Sequence, residues 1–183
     1  LETEDFIPQP TVDVSPPKWN IAHTTWFFEE MILKKFSANY RVFNENFGFL
    51  FNSYYNTLGE RTRRDERGDL SRPTVAEVFE YRKYVDAKMH DFLAGALSDE
   101  IKDLVILGLN HEQQHQELFL TDFKYTLSRN PLFPIYRENF ALEEICEMPN
   151  TNFAEISEGI YEIGYDGGGF CFDNELCRHK VFL

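Results

Sequence analysis

Apolar and polar positions follow a helical period over most of this chain and a strand period only towards its end. Residues 1–14 are polar, extended and proline-bearing. At Ser15-Pro16-Pro17 the pattern turns helical: serine is a capping residue type, and proline in a first turn sacrifices no hydrogen bond. The predicted helix runs to about Phe36. It places Trp19, His23, Trp26, Phe27 and Glu30, spaced by three and four, on one face that has to be buried or to line a site. A second, aromatic-rich helix is expected over 47–58, ended by Gly59. Thr74-Val75-Ala76-Glu77 has the capping-box pattern and opens a third helix to about Leu97, with a largely apolar stripe through Val75, Val78, Phe79, Arg82, Val85, Met89 and Phe92. A fourth starts at Ser98 and runs to about Leu127, before Asn130-Pro131. Four helices sharing one core imply a mainly α bundle.

Beyond Pro131 glycines cluster, and Tyr161, Ile163, Phe170, Phe172, Val181 and Leu183 fall into short alternating stretches that suit strands. The pattern is still strand-like at Leu183. It reads either as a β appendage on the bundle or as the opening strands of a larger domain.

Composition narrows the function classes. Hydrophobic residues at 43% and aromatics at 16% place the chain well away from disorder, and no apolar run approaches the ~20 residues of a membrane-spanning helix. The net charge of −13 repels phosphate backbones and anionic lipid, which argues against nucleic-acid and membrane-surface roles. Three cysteines, Cys146, Cys171 and Cys177, do not make a disulfide framework, so a reducing cytoplasm is the expected compartment. The chain begins at Leu1 with no secretory signal pattern and has the look of a trimmed start.

The strongest local chemistry is His111-Glu112-Gln113-Gln114-His115 in the fourth helix. Histidines at i and i+4 stand one above the other, so both imidazoles can reach one metal ion. Two ligands bind weakly, and His23 supplies a third from among aromatics of the first helix. Three neutral nitrogens with open positions suit a site that activates small molecules. The alternative is a set of core or solvent-facing histidines without a metal. Glu112 matches the zinc-protease general base formally, yet with Glu117 it also fits a solvated face. Arg61, Arg63, Arg64, Arg67 and Arg72 crowd the stretch from Glu60 to Pro73; they read either as a loop neutralised by Asp65, Glu66 and Asp69 or as a forked-donor clamp for substrate carboxylates. The cysteines read as packing residues, with Cys177, two residues from His179, the one placed for reactivity.

Several stretches together resemble one family. They are Ser15-Pro16-Pro17-Lys18-Trp19-Asn20-Ile21-Ala22-His23-Thr24-Thr25-Trp26-Phe27-Phe28-Glu29, Phe51-Asn52-Ser53-Tyr54-Tyr55, Gly59-Glu60-Arg61 and Asn110-His111-Glu112-Gln113-Gln114-His115-Gln116-Glu117-Leu118. In this order they are similar to the N-terminal half of the ergothioneine-biosynthesis sulfoxide synthases. Glu158-Gly159-Ile160-Tyr161-Glu162-Ile163-Gly164, Phe170-Cys171-Phe172-Asp173-Asn174-Glu175 and His179-Lys180-Val181 resemble the opening strands of the formylglycine-generating-enzyme-like domain that follows in that family. Asn20 departs from the family pattern, where histidine is frequent, as does Cys177, where proline is common.

The resemblance implies a DinB-like four-helix bundle over 1–140 and a linker with the first strands of a second domain over 141–183. It implies iron(II), or another divalent metal, on His23, His111 and His115. The implied reaction uses dioxygen to join the sulfur of γ-glutamylcysteine or cysteine to the imidazole of Nα-trimethylhistidine. Gln114 would then meet the substrate imidazole, and Arg61 and Arg64 would hold carboxylates of the thiol. The remaining catalytic residues are expected in the second domain, of which this chain carries only the start. Two other functions stay open: a DinB-like metal-dependent thiol transferase or hydrolase, and a metal-binding module without turnover.

Overall fold

The computed structural model describes residues 1–53, 61–138 and 152–183. Within them the fold is mainly α with one small β-sheet near the C-terminus, the class that the pattern predicts. The chain divides into two compact units, Leu1–Glu138 and Asn139–Leu183.

Helix α1 (Pro17–Phe28) is the axis of the first unit: every residue in it except Ile21 is buried. Its large aromatics and small residues surround the helix rather than lining one stripe, and a helix of that kind needs neighbours on several sides. Ser15 does not cap it. Pro16 does, its carbonyl accepting from the N–H groups of Trp19 and Asn20 at 2.9 and 3.1 Å, while Ser15 is engaged by Asn20 and Arg67 side chains instead. Beyond Phe28 the helix widens into a π turn, Glu29–Leu33, and closes with one α turn, α2 (Lys34–Phe36). The wider turn rotates the faces. Glu29, not the expected Glu30, enters the core, and Glu30 is half-buried and pairs with Lys34 at 2.7 Å.

Helix α3 (Phe47–Leu50) is far shorter than the expected 47–58. Residues 51–53 are already non-helical, and 54–60 lie outside the described residues. Donors from α1 take the carbonyls that a longer helix would use: Trp26 Nε1 donates to Gly48 O at 3.0 Å, Trp19 Nε1 to Leu50 O at 3.3 Å and His23 Nδ1 to Phe51 O at 2.6 Å.

Helix α4 (Val75–Leu93) opens with the expected capping box. Thr74 Oγ1 accepts from Glu77 N at 3.2 Å, and Thr74 N donates to Glu77 Oε2 at 2.7 Å. It ends before the expected Leu97, at a turn in which Gly95 N donates to Phe92 O. Val75, Val78, Val85 and Met89 are buried together with Tyr81, whereas Phe79 is half-exposed and packs edge-on against Phe6. Helix α5 (Asp99–Ser128) is capped by Ser98, and both long helices pack on α1. Gly108 of α5 makes the close approach possible, because a Cβ there would stand 2.8–2.9 Å from ring atoms of Phe27 and Phe28.

In the second unit β1 (Ile160–Ile163) and β2 (His179–Phe182) pair antiparallel, with Tyr161 opposite Val181 and Glu162 opposite Lys180. Phe170 and Phe172, expected in strands, lie in irregular backbone and pack on each other at 4.9 Å. Gly167-Gly168-Gly169 before them and a 3-10 turn, Asp173–Glu175, after them leave too short a run for a strand. No described helix is long and apolar enough to cross a membrane.

Candidate metal centre

Helix α1 carries His23 and α5 carries His111 and His115, and the packing of these helices brings the three imidazoles together. Ring centroids lie 5.0 Å apart for His23 and His111, 4.8 Å for His23 and His115, and 4.7 Å for His111 and His115. One nitrogen from each falls within 4.8 Å of the others. Nitrogens bound at ~2.1 Å to one ion lie at most ~4.2 Å apart, so small side-chain adjustments close the triad on a single metal.

His23 is held by two ring contacts and one hydrogen bond. Its ring is stacked between Trp19, at 4.6 Å, and Trp26, at 5.5 Å, both within 18° of parallel. Its Nδ1 meets the Phe51 carbonyl, and a carbonyl can only accept. Nδ1 therefore holds the hydrogen and Nε2 keeps its lone pair. His115 Nδ1 lies 3.0 Å from Asn20 Oδ1. His111 Nδ1 is buried and has no hydrogen-bond partner, an arrangement that is costly in a core and is relieved when that nitrogen itself binds a metal ion.

The electrostatics keep these rings neutral, the form that binds metal. Burial, then the two neighbouring histidines, holds His23 well below the usual histidine range, against a smaller opposing effect of its bond to Phe51. Burial lowers His111. His115 is lowered to about 4 by burial first, then by His111, Arg67 and Arg64. Three neutral imidazoles form a donor set suited to a borderline divalent ion such as iron(II) or zinc.

The other expected residues have distinct places. Gln114 is exposed on α5 beside His115. Exposed Arg61 donates from Nη1 to the Ser53 carbonyl at 2.6 Å, and Arg64 from Nη2 to the Asp13 carbonyl at 2.6 Å. Arg63 is neutralised by Asp65 and Glu66. Glu112 is not a ligand: both its oxygens pair with Arg82 of α4 at 3.0 Å.

The arginine built into the site is Arg67. It is buried, its guanidinium lies 3.4 Å from the ring centroid of Trp19, and it donates to Ser15 Oγ at 2.8 Å and Ser53 Oγ at 3.1 Å. Arg67, Trp19, His23 and Trp26 thus follow one another in a stack. Nothing in the sequence sets Arg67 apart from its four neighbours. Asn20 was open to detection, since it lies three residues before His23 on a helix.

Comparison with known families places residues 1–119, which contain all three histidines, in the DinB superfamily. No curated protein matches the chain.

Proposed function

Because the chain belongs to the DinB superfamily, we propose that His23, His111 and His115 hold iron(II) and that the chain is the metal-bearing N-terminal part of a dioxygen-dependent sulfoxide synthase. Its substrates in this reading are a thiol, γ-glutamylcysteine or cysteine, and Nα-trimethylhistidine. The observation that carries the metal site is the convergence of three imidazoles from two helices, two of them with Nδ1 already committed to a protein oxygen. The motif resemblance set out above supports the choice of reaction.

Iron(II) in such a site supplies dioxygen activation for oxidative carbon–sulfur bond formation. The protein's own part is to bind and orient. Gln114, exposed one residue before His115, is available to the substrate imidazole. Arg61 and Arg64 present guanidinium groups for substrate carboxylates, and Arg64 acts electrostatically on His115. Residues 141–183 are, in this reading, the linker and first strands of a formylglycine-generating-enzyme-like domain.

The test is anaerobic titration with iron(II), followed by oxygen-uptake and product assays with both substrates, on this chain and on a polypeptide carrying a complete second domain. Both should bind metal, and His115→Ala should lower the affinity of either by at least tenfold. Sulfoxide should form with the longer polypeptide. Thiol consumption without oxygen uptake would replace this reading with a metal-dependent thiol transferase, an activity compatible with the same three histidines.

A further inference from the structure

Ser15 is held at three points. Its N–H donates to Asp122 Oδ2 at 3.2 Å, its carbonyl accepts from Asn20 Nδ2 at 3.2 Å and its hydroxyl accepts from Arg67 Nη1 at 2.8 Å. Ser15 and Asn20 are both buried. Because a carbonyl oxygen only accepts, the end of the Asn20 amide that faces Ser15 is the NH2 group. The opposite end, 3.0 Å from His115 Nδ1, is therefore the oxygen. An amide oxygen also only accepts, so Nδ1 of His115 carries the ring hydrogen and Nε2 carries the lone pair.

We infer that Asn20 is a positioning residue for His115, holding its imidazole in the Nδ1–H tautomer and aiming Nε2 at the metal shared with His23 and His111. The Phe51 carbonyl does the same for His23 from another part of the chain. His111 Nδ1 has no such partner, so the three ligands are not equivalent. The positioning role rests on the reading of the triad as metal ligands; the tautomer exists with or without metal. The competing role for Asn20 is a structural link between Ser15 and α1, with His115 a bystander.

Two measurements on the whole chain separate these roles. In metal-free protein labelled with 15N-histidine, long-range proton–nitrogen correlations identify the protonated nitrogen of each ring. Nδ1–H is expected for both His23 and His115, and an Nε2–H form of His115 overturns the inference even if no variant folds. The second measurement is cobalt(II) titration followed by visible absorption, with folding checked by circular dichroism. Asn20→Leu removes the acceptor at similar volume and should weaken binding ~10–100-fold. Asn20→Asp keeps an oxygen towards His115 while losing the donor to Ser15, and should stay within a few-fold of the parent chain. Equal losses in the two variants, or an unchanged affinity in Asn20→Leu, overturn the positioning role. Failure of the parent chain to bind cobalt(II) overturns the metal reading and the positioning role with it. Cobalt(II) binding by this chain together with no sulfoxide from the iron(II)-loaded polypeptide that carries a complete second domain removes the proposed reaction alone.

Discussion

A carboxylate cut off from water is costly unless its oxygens find donors. Glu29, 1% exposed, finds three: Tyr40 Oη and Tyr81 Oη at 2.6 Å and Phe43 N at 3.1 Å. Tyr81→Phe should destabilise the protein by about 2 kcal/mol, the usual scale for a hydrogen bond to a charged group, measurable by urea denaturation. The phenols also predict an alkaline limit. Burial first, and Glu29 second, raises the pKa of both Tyr40 and Tyr81 above the ordinary 10.0. The unfolded chain would release these protons near pH 10 while the folded chain keeps them. Their contribution is complete below that pH and is lost as the pH rises beyond it towards the folded values. Urea midpoints should fall above pH 10, and Tyr81→Phe should show a shallower fall. None of this was legible in the sequence, because simple helical spacing selects Glu30, and the π turn that brings in Glu29 leaves no mark on the pattern.

At the scale of elements, strong local signals survived and long-range ones did not show. The Thr74-Glu77 box and the Ser98 cap are local chemistry, and both helices start where they direct. Helix α3 stops early because carbonyls at its end serve Trp19 and Trp26, a demand made by residues more than twenty positions away. The site divides the same way: the spacing of His111 and His115 was readable, whereas Arg67 and the Phe51 carbonyl acquire their roles only on packing. Helix contact itself depends on Gly108, one turn before His111. Alanine there gains up to ~1 kcal/mol of helix propensity but meets two buried aromatic rings, and overpacking costs ~1–3 kcal/mol. The clash should win. Gly108→Ala is expected to destabilise the protein by about 1 kcal/mol and, by pushing α5 away from His23, to weaken cobalt(II) binding several-fold. An unchanged affinity would show that the triad tolerates movement between the helices.

For the whole molecule, the decisive point is where the parts of the centre reside. His23, His111 and His115, the Phe51 carbonyl, Asn20, Ser15, Arg67 and Asp122 all belong to the unit Leu1–Glu138. So do the buried core around α1 and the Glu29 network. A domain with its own core folds independently, and a metal site whose ligands and supporting hydrogen bonds are all internal to it needs nothing further to bind. Residues 1–138 expressed alone should therefore unfold cooperatively in urea and bind cobalt(II) within a few-fold of the 183-residue chain. Cobalt(II) titration of the two side by side is the measurement. A loss of tenfold or more, in a truncated chain shown to be folded, would mean that residues 139–183 contribute to the centre and would reassign part of its construction to the second unit.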